Sequence, residues 1–218
     1  MTELDARSQG EMTSRLDALS RESMEGEDVL DPARVPLERP KGPFVMPDCA
    51  NCTDTCCVHD VPDSGILLSL RDIAQLMDSG LSDVVHGTFT FKRTRKGKLK
   101  PEIDTMPRLA KKDGLCIFYD GATRRCTGYG TRPTICRRFP YEVHYRSRTG
   151  NPYARFIGWA DCPTVTGGEH EESILQMVRD AVHDENVSLE DAVLLEQCVD
   201  ELREAGFDFV LPPPDECP

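Results

Sequence analysis

The stretch CANCTDTCC, residues 49–57, places four cysteines within nine positions. Its reading decides whether the fold is organised by side-chain packing or by metal. Cys49 and Cys52 form a CxxC pair, a spacing that lets one tight turn aim two sulfurs at one ion while backbone N–H groups of the turn bond to the thiolates. Cys56 follows closely, so Cys49, Cys52 and Cys56 can converge from a single loop. Such a trio plus one distant cysteine suits a cubane iron–sulfur cluster or a four-sulfur zinc site. Cys57 differs. Successive side chains of extended backbone point to opposite faces, so Cys57 is aimed away from the trio, toward a second metal or a shared multinuclear one. The doubled cysteine therefore reads as a branch point between two metal positions.

Ten cysteines in 218 residues lie below the ~8–10% density of a short disulfide scaffold. The N-terminal run MTELDARSQGEMTSRLDALSRESMEGED lacks the apolar h-region of a secretory signal. The expectation is a cytoplasmic protein whose thiols stay reduced, and clustered cysteines in that setting read as metal ligands or redox groups first. Mean hydropathy is −0.44, and no apolar run approaches the ~20 residues needed to cross a bilayer.

The other thiols are dispersed. Cys116 follows Gly114, Cys126 follows Arg124-Arg125, Cys136 sits in RPTICRRFP, and Cys162 follows Trp159. With the first four they make eight, the number for two four-cysteine sites. The competing account, eight small buried hydrophobes, does not explain the CxxC clustering. Zinc and iron both stay open, because eight thiolates suit either. Paired CxxC halves would favour zinc and only one half is present, while the compact trio fits iron–sulfur.

Charge divides along the chain. From Lys92 to Arg148 there are 16 Lys/Arg against 5 Asp/Glu, a net +11, whereas residues 161–218 carry 2 against 16, a net −14. The first 40 residues add a net −5. Intramolecular neutralisation is preferred to an anionic partner, because acidic ends repel nucleic acid. A local use also exists for the basic residues. Thiolates around a metal leave excess negative charge, and the guanidinium groups of Arg132, Arg137 and Arg138, beside Cys136, would offset it as outer-sphere partners.

Taken together, CANCTDTCC, GLCIFYD, CTGYGTRPTICRRFPY and Cys162 resemble the signature of the YkgJ-like cysteine-cluster family, a group of zinc- or iron-chelating domains. The family pattern runs CxxCxxxCC, then G-x-C-x-F, then C-x(2)-Y-x(2)-R-P-x(2)-C-R-x-F-P, then a last cysteine. It falls here on Cys49, Cys52, Cys56, Cys57, Cys116, Cys126, Cys136 and Cys162. Tyr129, Arg132, Pro133, Arg137, Phe139 and Pro140 match the long block, which is the specific part. The resemblance covers roughly residues 44–163 and omits the acidic ends, Cys198 and Cys217. It implies metal binding and no particular reaction. One relative, the flagellin lysine methylase, carries a similar signature in a longer chain.

The expected fold is α+β: a small irregular, metal-organised domain with short strands and hairpins and two C-terminal helices. Residues 1–40 read as a disordered acidic tail, with Met12, Leu16 and Leu19 able to form one short amphipathic helix. The cysteine-cluster domain is expected over 41–165, a helical pair packed on it over 166–210, and a tail over 211–218. Ser69 with Asp72 predicts a capped helix bearing Ile73, Leu76 and Met77 and ending at Gly80. Lys96-Gly97 and Gly150-Asn151 predict hairpin turns. GLCIFYD reads as one short strand, and Pro133 opens a helical turn. Ile174, Val178, Ala181 and Val182 make the stripe of one closing helix. Ser188 is expected to cap a second, with Leu189, Ala192, Leu195, Val199 and Leu202 on its face and Gly206 at its end.

Two function classes stand. The first is a metal-binding protein, structural, storing, delivering or sensing, with every metal ligated by thiolates. The alternative is a metalloenzyme or a cluster-bearing accessory factor. GxGxxG, Walker, HExxH and radical S-adenosylmethionine patterns are absent from the sequence, so no catalytic residue is assigned. Metal ions are the expected partners, a protein partner stays open, and the basic run KRTRKGKLK (92–100) reads as a solvated hairpin edge rather than a nucleic-acid site. His59, two residues past Cys57, could replace a thiol as ligand, but with eight cysteines available the thiols are preferred. His144 alternates with Glu142 and Arg146 and is expected to face solvent. Cys198, near Leu194, Leu195 and Leu202, reads as core, and Cys217 as a tail thiol.

Overall fold

A computed structural model describes residues 10–25, 29–38, 45–47, 65–93, 99–102, 106–139, 141–156, 164–166 and 171–211. The chain begins with α1 (Glu11–Ser23), β1 (Val45–Pro47), α2 (Leu70–Asp78), β2 (Val85–His86), β3 (Phe89–Arg93), β4 (Leu99–Pro101) and β5 (Arg108–Leu109). It continues with β6 (Lys111–Lys112), β7 (Leu115–Cys116), β8 (Tyr119–Asp120), β9 (Arg125–Cys126) and α3 (Thr134–Arg138). It ends with β10 (Tyr141–Tyr145), β11 (Pro152–Phe156), β12 (Thr164–Thr166), α4 (Glu171–Gln197), α5 (Val199–Glu204) and β13 (Phe209–Val210). The class is α+β, with the strands dispersed into small sheets: β1-β12, β10-β11, β13-β3-β4, β2-β5, β6-β7 and β8-β9. The chain gathers into two compact units. One takes residues 1–27, 64–110 and 187–218, the other 28–63 and 111–186.

In the first unit, α2 starts as its sequence dictates. The Ser69 hydroxyl accepts from the Asp72 amide, and the Asp72 carboxylate accepts from the Ser69 amide, a complete capping box. Leu70, Ile73, Ala74 and Leu76 are buried, and Gly80, at φ 70°, leaves the helix in the left-handed conformation. The segment expected as a tail holds α1, whose Leu16 is buried. The N-terminus of α1 begins at Gly10 without a side-chain cap of its own. Asp78 at the end of α2 supplies it: the Met12 amide donates to Oδ1 at 3.0 Å and the Thr13 amide to Oδ2 at 2.9 Å. Burial works to raise the Asp78 pKa, but the hydrogen bonds from Thr13 and the α1 backbone prevail and it lies below the usual value. Between β3 and β13 the register pairs Phe89 with Phe209, and the Phe209 ring lies 5.7 Å from Phe89 and 5.6 Å from Phe91. The β3–β4 hairpin is present; its expected Lys96-Gly97 turn lies outside the described residues.

The expected break at Ser188 does not occur. Helix α4 runs unbroken from Glu171 to Gln197. Ser188-Leu189-Glu190-Asp191 mimics a capping box, but no Gly or Pro stops the helix before it, so propagation continues. The boundary between the two C-terminal helices falls at Cys198. The buried face also differs from the expected one. Val187, Glu190, Asp191, Leu194 and Leu195 are buried, whereas Ala192 is exposed. The two carboxylates can be buried because they have partners: Arg71 donates to Glu190 at 3.0 Å and to Asp17 at 2.7 Å, and the Leu70 amide donates to Asp191 at 2.9 Å. Burial pushes the Asp191 carboxyl well above the ordinary range, and the neighbouring Glu190 and Asp72 add to the rise. Gly206, at φ 104°, ends α5 as expected.

The second unit has an apolar core of Val35, Tyr141, Val143, Ala154, Ile174, Val178, Ala181 and Val182. The expected α4 stripe supplies four of these. The β10–β11 hairpin supplies three, with Tyr141 opposite Phe156 and Val143 opposite Ala154. Its turn closes where the Gly150 amide donates to the Arg146 carbonyl at 2.8 Å, with Gly150 at φ 70°. Glu142 and His144 alternate onto the outer face, where both are half-buried and His144 Nε2 lies 3.2 Å from Glu142 Oε2.

Candidate metal centre

The segment 111–139 carries three of the predicted ligands on three small elements. The sequence KKDGLC forms the β6–β7 hairpin, pairing Lys111 with Cys116 and Lys112 with Leu115. Asp113 at φ 54° and Gly114 at φ 81° make its two-residue turn, the pair of left-handed residues that a type I′ turn requires. GLCIFYD is therefore not one strand. It divides between β7 and β8, which belong to different hairpins.

The second hairpin pairs Tyr119 with Cys126 and Asp120 with Arg125. Asp120 organises its loop, accepting from the Ala122 amide at 2.9 Å and the Thr123 hydroxyl at 2.6 Å. The Thr123 hydroxyl, then the Ala122 amide, hold its carboxyl below the ordinary range. Arg124 sits at φ 56°, a left-handed backbone costing on the order of 1 kcal/mol for a side chain of its size. Beyond Cys126, the Phe118 carbonyl accepts from the Thr127 amide at 2.8 Å and its hydroxyl at 3.0 Å. The Phe118 ring then presses on Gly128 so closely that a Cβ there would lie 2.8–3.0 Å from its carbons. This contact brings Cys116-x-Phe118 against Cys126-x-Gly128.

The third element is α3, five residues long, with Pro133 at the cap position, one residue ahead of the expected place. The Cys136 and Arg137 amides both donate to the Pro133 carbonyl, at 2.9 and 3.1 Å. Cys116, Cys126 and Cys136 are all half-buried.

The predicted arginines differ in their surroundings. Arg132 stacks its guanidinium 3.6 Å from the centre of the Tyr129 ring and donates to the Tyr129 carbonyl; Tyr129 is 64% exposed. Arg137 is half-buried. Arg138 reaches Asp184 at 3.0 Å and Glu142 at 3.5 Å. Cys49, Cys52, Cys56, Cys57 and Cys162 lie outside the described residues, as do His59, Trp159 and Cys217. Among the described residues, no group of three or more His, Cys, Asp or Glu side chains is placed to hold an ion.

The donor set fits a thiophilic metal. Of the eight motif cysteines the described residues include Cys116, Cys126 and Cys136, all on the segment 111–139. A family model, CxxCxxCC, described as "Putative zinc- or iron-chelating domain", matches residues 48–159, just over half of the chain. The chain belongs to this family. Its metals, zinc or iron, are those the thiolate pattern anticipates. No solved structure matches the chain. No helix among the described residues is long and apolar enough to cross a membrane. Cys198, outside the family match, is half-buried at the α4–α5 junction with its Sγ 3.1 Å from the Ser23 Oγ.

Two features of the site were missed in the sequence. The Asp113-Gly114 turn carried a strong hairpin signal. The Arg138–Asp184 pair joins residues far apart in the chain and carried none.

Proposed function

We propose that the protein is a non-catalytic, cytoplasmic metal-binding module. It holds zinc or iron through Cys49, Cys52, Cys56, Cys57, Cys116, Cys126, Cys136 and Cys162 in two thiolate sites, with Arg132 and Arg137 offsetting the excess negative charge. One observation carries this reading. Among residues 111–139 the buried side chains are Pro133 and Thr134, and none of the apolar core residues comes from this stretch. Isolated two-stranded hairpins and a five-residue helix are unstable alone in water. A segment built of two such hairpins and one such helix needs another source of cohesion, and each of the three presents a cysteine. Thiolate–metal bonds supply that cohesion, since metal-binding free energy in such sites is folding free energy.

The test is anaerobic purification of the full chain with measurement of zinc, iron and acid-labile sulfide. Thiolate-bound zinc at about two ions per chain supports two mononuclear sites. Iron matched by sulfide, with a broad visible absorption band, assigns the thiols to iron–sulfur clusters instead. Neither metal at stoichiometric level overturns the reading.

A further inference from the structure

We propose that Arg138 is a positioning residue for the metal centre: clamped by Asp184 and Glu142, it straps the Cys136 turn onto the apolar core. The proposal rests on the metal-binding reading above. Helix α3 is too short to hold its own orientation and has no side-chain cap at its start. Arg138 is its last residue. Its side chain is 16% exposed, and that of Asp184 on α4 is 9% exposed, so their 3.0 Å ion pair is largely shielded from water. Glu142 lies on β10, 3.5 Å from the same guanidinium. The helix α4 and the strand β10 that carry these carboxylates also supply Tyr141, Val143, Ala181 and Val182 to the core. Arg138 thus fixes a ligand-bearing turn to elements that build the apolar core of its unit. Its positive charge already faces two carboxylates, so its contribution is geometric rather than neutralisation of thiolates. A guanidinium suits this task because its planar fork can engage both acids at once.

The experiment compares full-length wild type with Asp184→Asn, Arg138→Gln and Arg138→Lys. Cobalt(II) is the probe, read by its thiolate charge-transfer absorption. Alkylation of Cys136 relative to Cys116 in the metal-free protein is read by mass spectrometry. With a positioning role, Asp184→Asn weakens cobalt binding by about tenfold, the scale for outer-shell partners, and raises the Cys136:Cys116 alkylation ratio several-fold. Arg138→Gln does the same, and Arg138→Lys recovers part of the loss. With a charge-balancing role the sign reverses for Asp184→Asn, because freeing the guanidinium strengthens thiolate binding; tighter cobalt binding overturns the proposal. Ile174→Ala is the control for general destabilisation and leaves the alkylation ratio unchanged. Should Asp184→Asn fail to fold, Glu142→Gln makes the same comparison with a smaller effect. Should wild type itself bind no cobalt through thiolates, the metal reading fails, and an unchanged alkylation ratio in the variants then overturns the strap separately.

Discussion

Two neighbouring stretches of one unit are held by different forces. Residues 141–156 with the first part of α4 form a hairpin on a helix, and their contact is apolar: Tyr141, Val143 and Ala154 face Ile174, Val178, Ala181 and Val182. Residues 111–139 also form regular structure, but contribute no side chain to that core. Their internal order comes from turn chemistry, the Phe118–Gly128 contact and the hydrogen bonds around Asp120. A fully buried aliphatic side chain contributes roughly 1.5–3 kcal/mol through removal from water, and the cysteine segment has none, its Leu115, Ile117 and Ile135 being half-buried. The difference teaches that a family signature can mark where a fold lacks hydrophobic cohesion, as well as where it performs chemistry.

The strongest way to break the comparison is to remove the metal. Thiolate sites in small domains contribute apparent free energies on the order of 10 kcal/mol. Chelation, or Cys136→Ser, is expected to abolish amide-exchange protection across 115–127 while the β10–β11 amides stay protected. Equal loss in both stretches would show that they share one source of stability. The converse substitution, Ile174→Ala, opens a cavity in the apolar core and is expected to cost about 2–5 kcal/mol in denaturant unfolding. Metal content of the folded protein should not change.

The same contrast governs what was legible in the sequence. Elements specified by neighbouring residues were readable: the Ser69–Asp72 box, the Gly150 turn, the α4 stripe and the turn around Pro133. Elements specified by distant partners were not. Ser188 looked like a cap, because a capping box describes how a helix may start and says nothing about whether the previous one has stopped. Nothing adjacent in sequence marks Glu190 and Asp191 as buried, because their partners at Leu70 and Arg71 lie over a hundred residues away. The α1 cap by Asp78 has the same character. Cys116, Cys126 and Cys136 were assigned as ligands from the count of eight cysteines and the family signature, whereas the Arg138 strap depends on the fold that brings α4 beside α3.

A finer test lies inside the cysteine segment. Gly128→Ala leaves the backbone in an ordinary conformation, φ −89°, so its effect comes from the Phe118 ring. Forcing a methyl into that contact is expected to cost about 1–3 kcal/mol and to lower metal affinity. Adding Phe118→Leu should recover part of the loss, as a coupling energy in a double-mutant cycle. If Gly128→Ala is silent, the two cysteine turns are not locked through this contact, and metal bonds alone hold them.

The smallest effect is expected in the other unit, at a site that needs no metal. Asp78 accepts the Met12 and Thr13 amides with its two separate oxygens, so Asp78→Asn keeps one acceptor and loses the other along with the charge. The cost is about 1 kcal/mol, the scale of a helix cap, and metal content should be unchanged. Its pH dependence has a definite sign. The folded-state pKa is lowered, so the stabilisation is fully present above the unfolded carboxylate value and disappears as pH falls through the lower folded one. Thiolate sites release metal as their ligands protonate, at higher pH than that. An acid titration followed by amide exchange should therefore release 115–127 first and α1 later. In Asp78→Asn the pH-dependent part of the α1 loss should shrink, leaving what the Asp17–Arg71 pair contributes, while release of 115–127 stays at its wild-type pH. Loss of α1 together with the cysteine turns at a common pH would mean that one transition governs both.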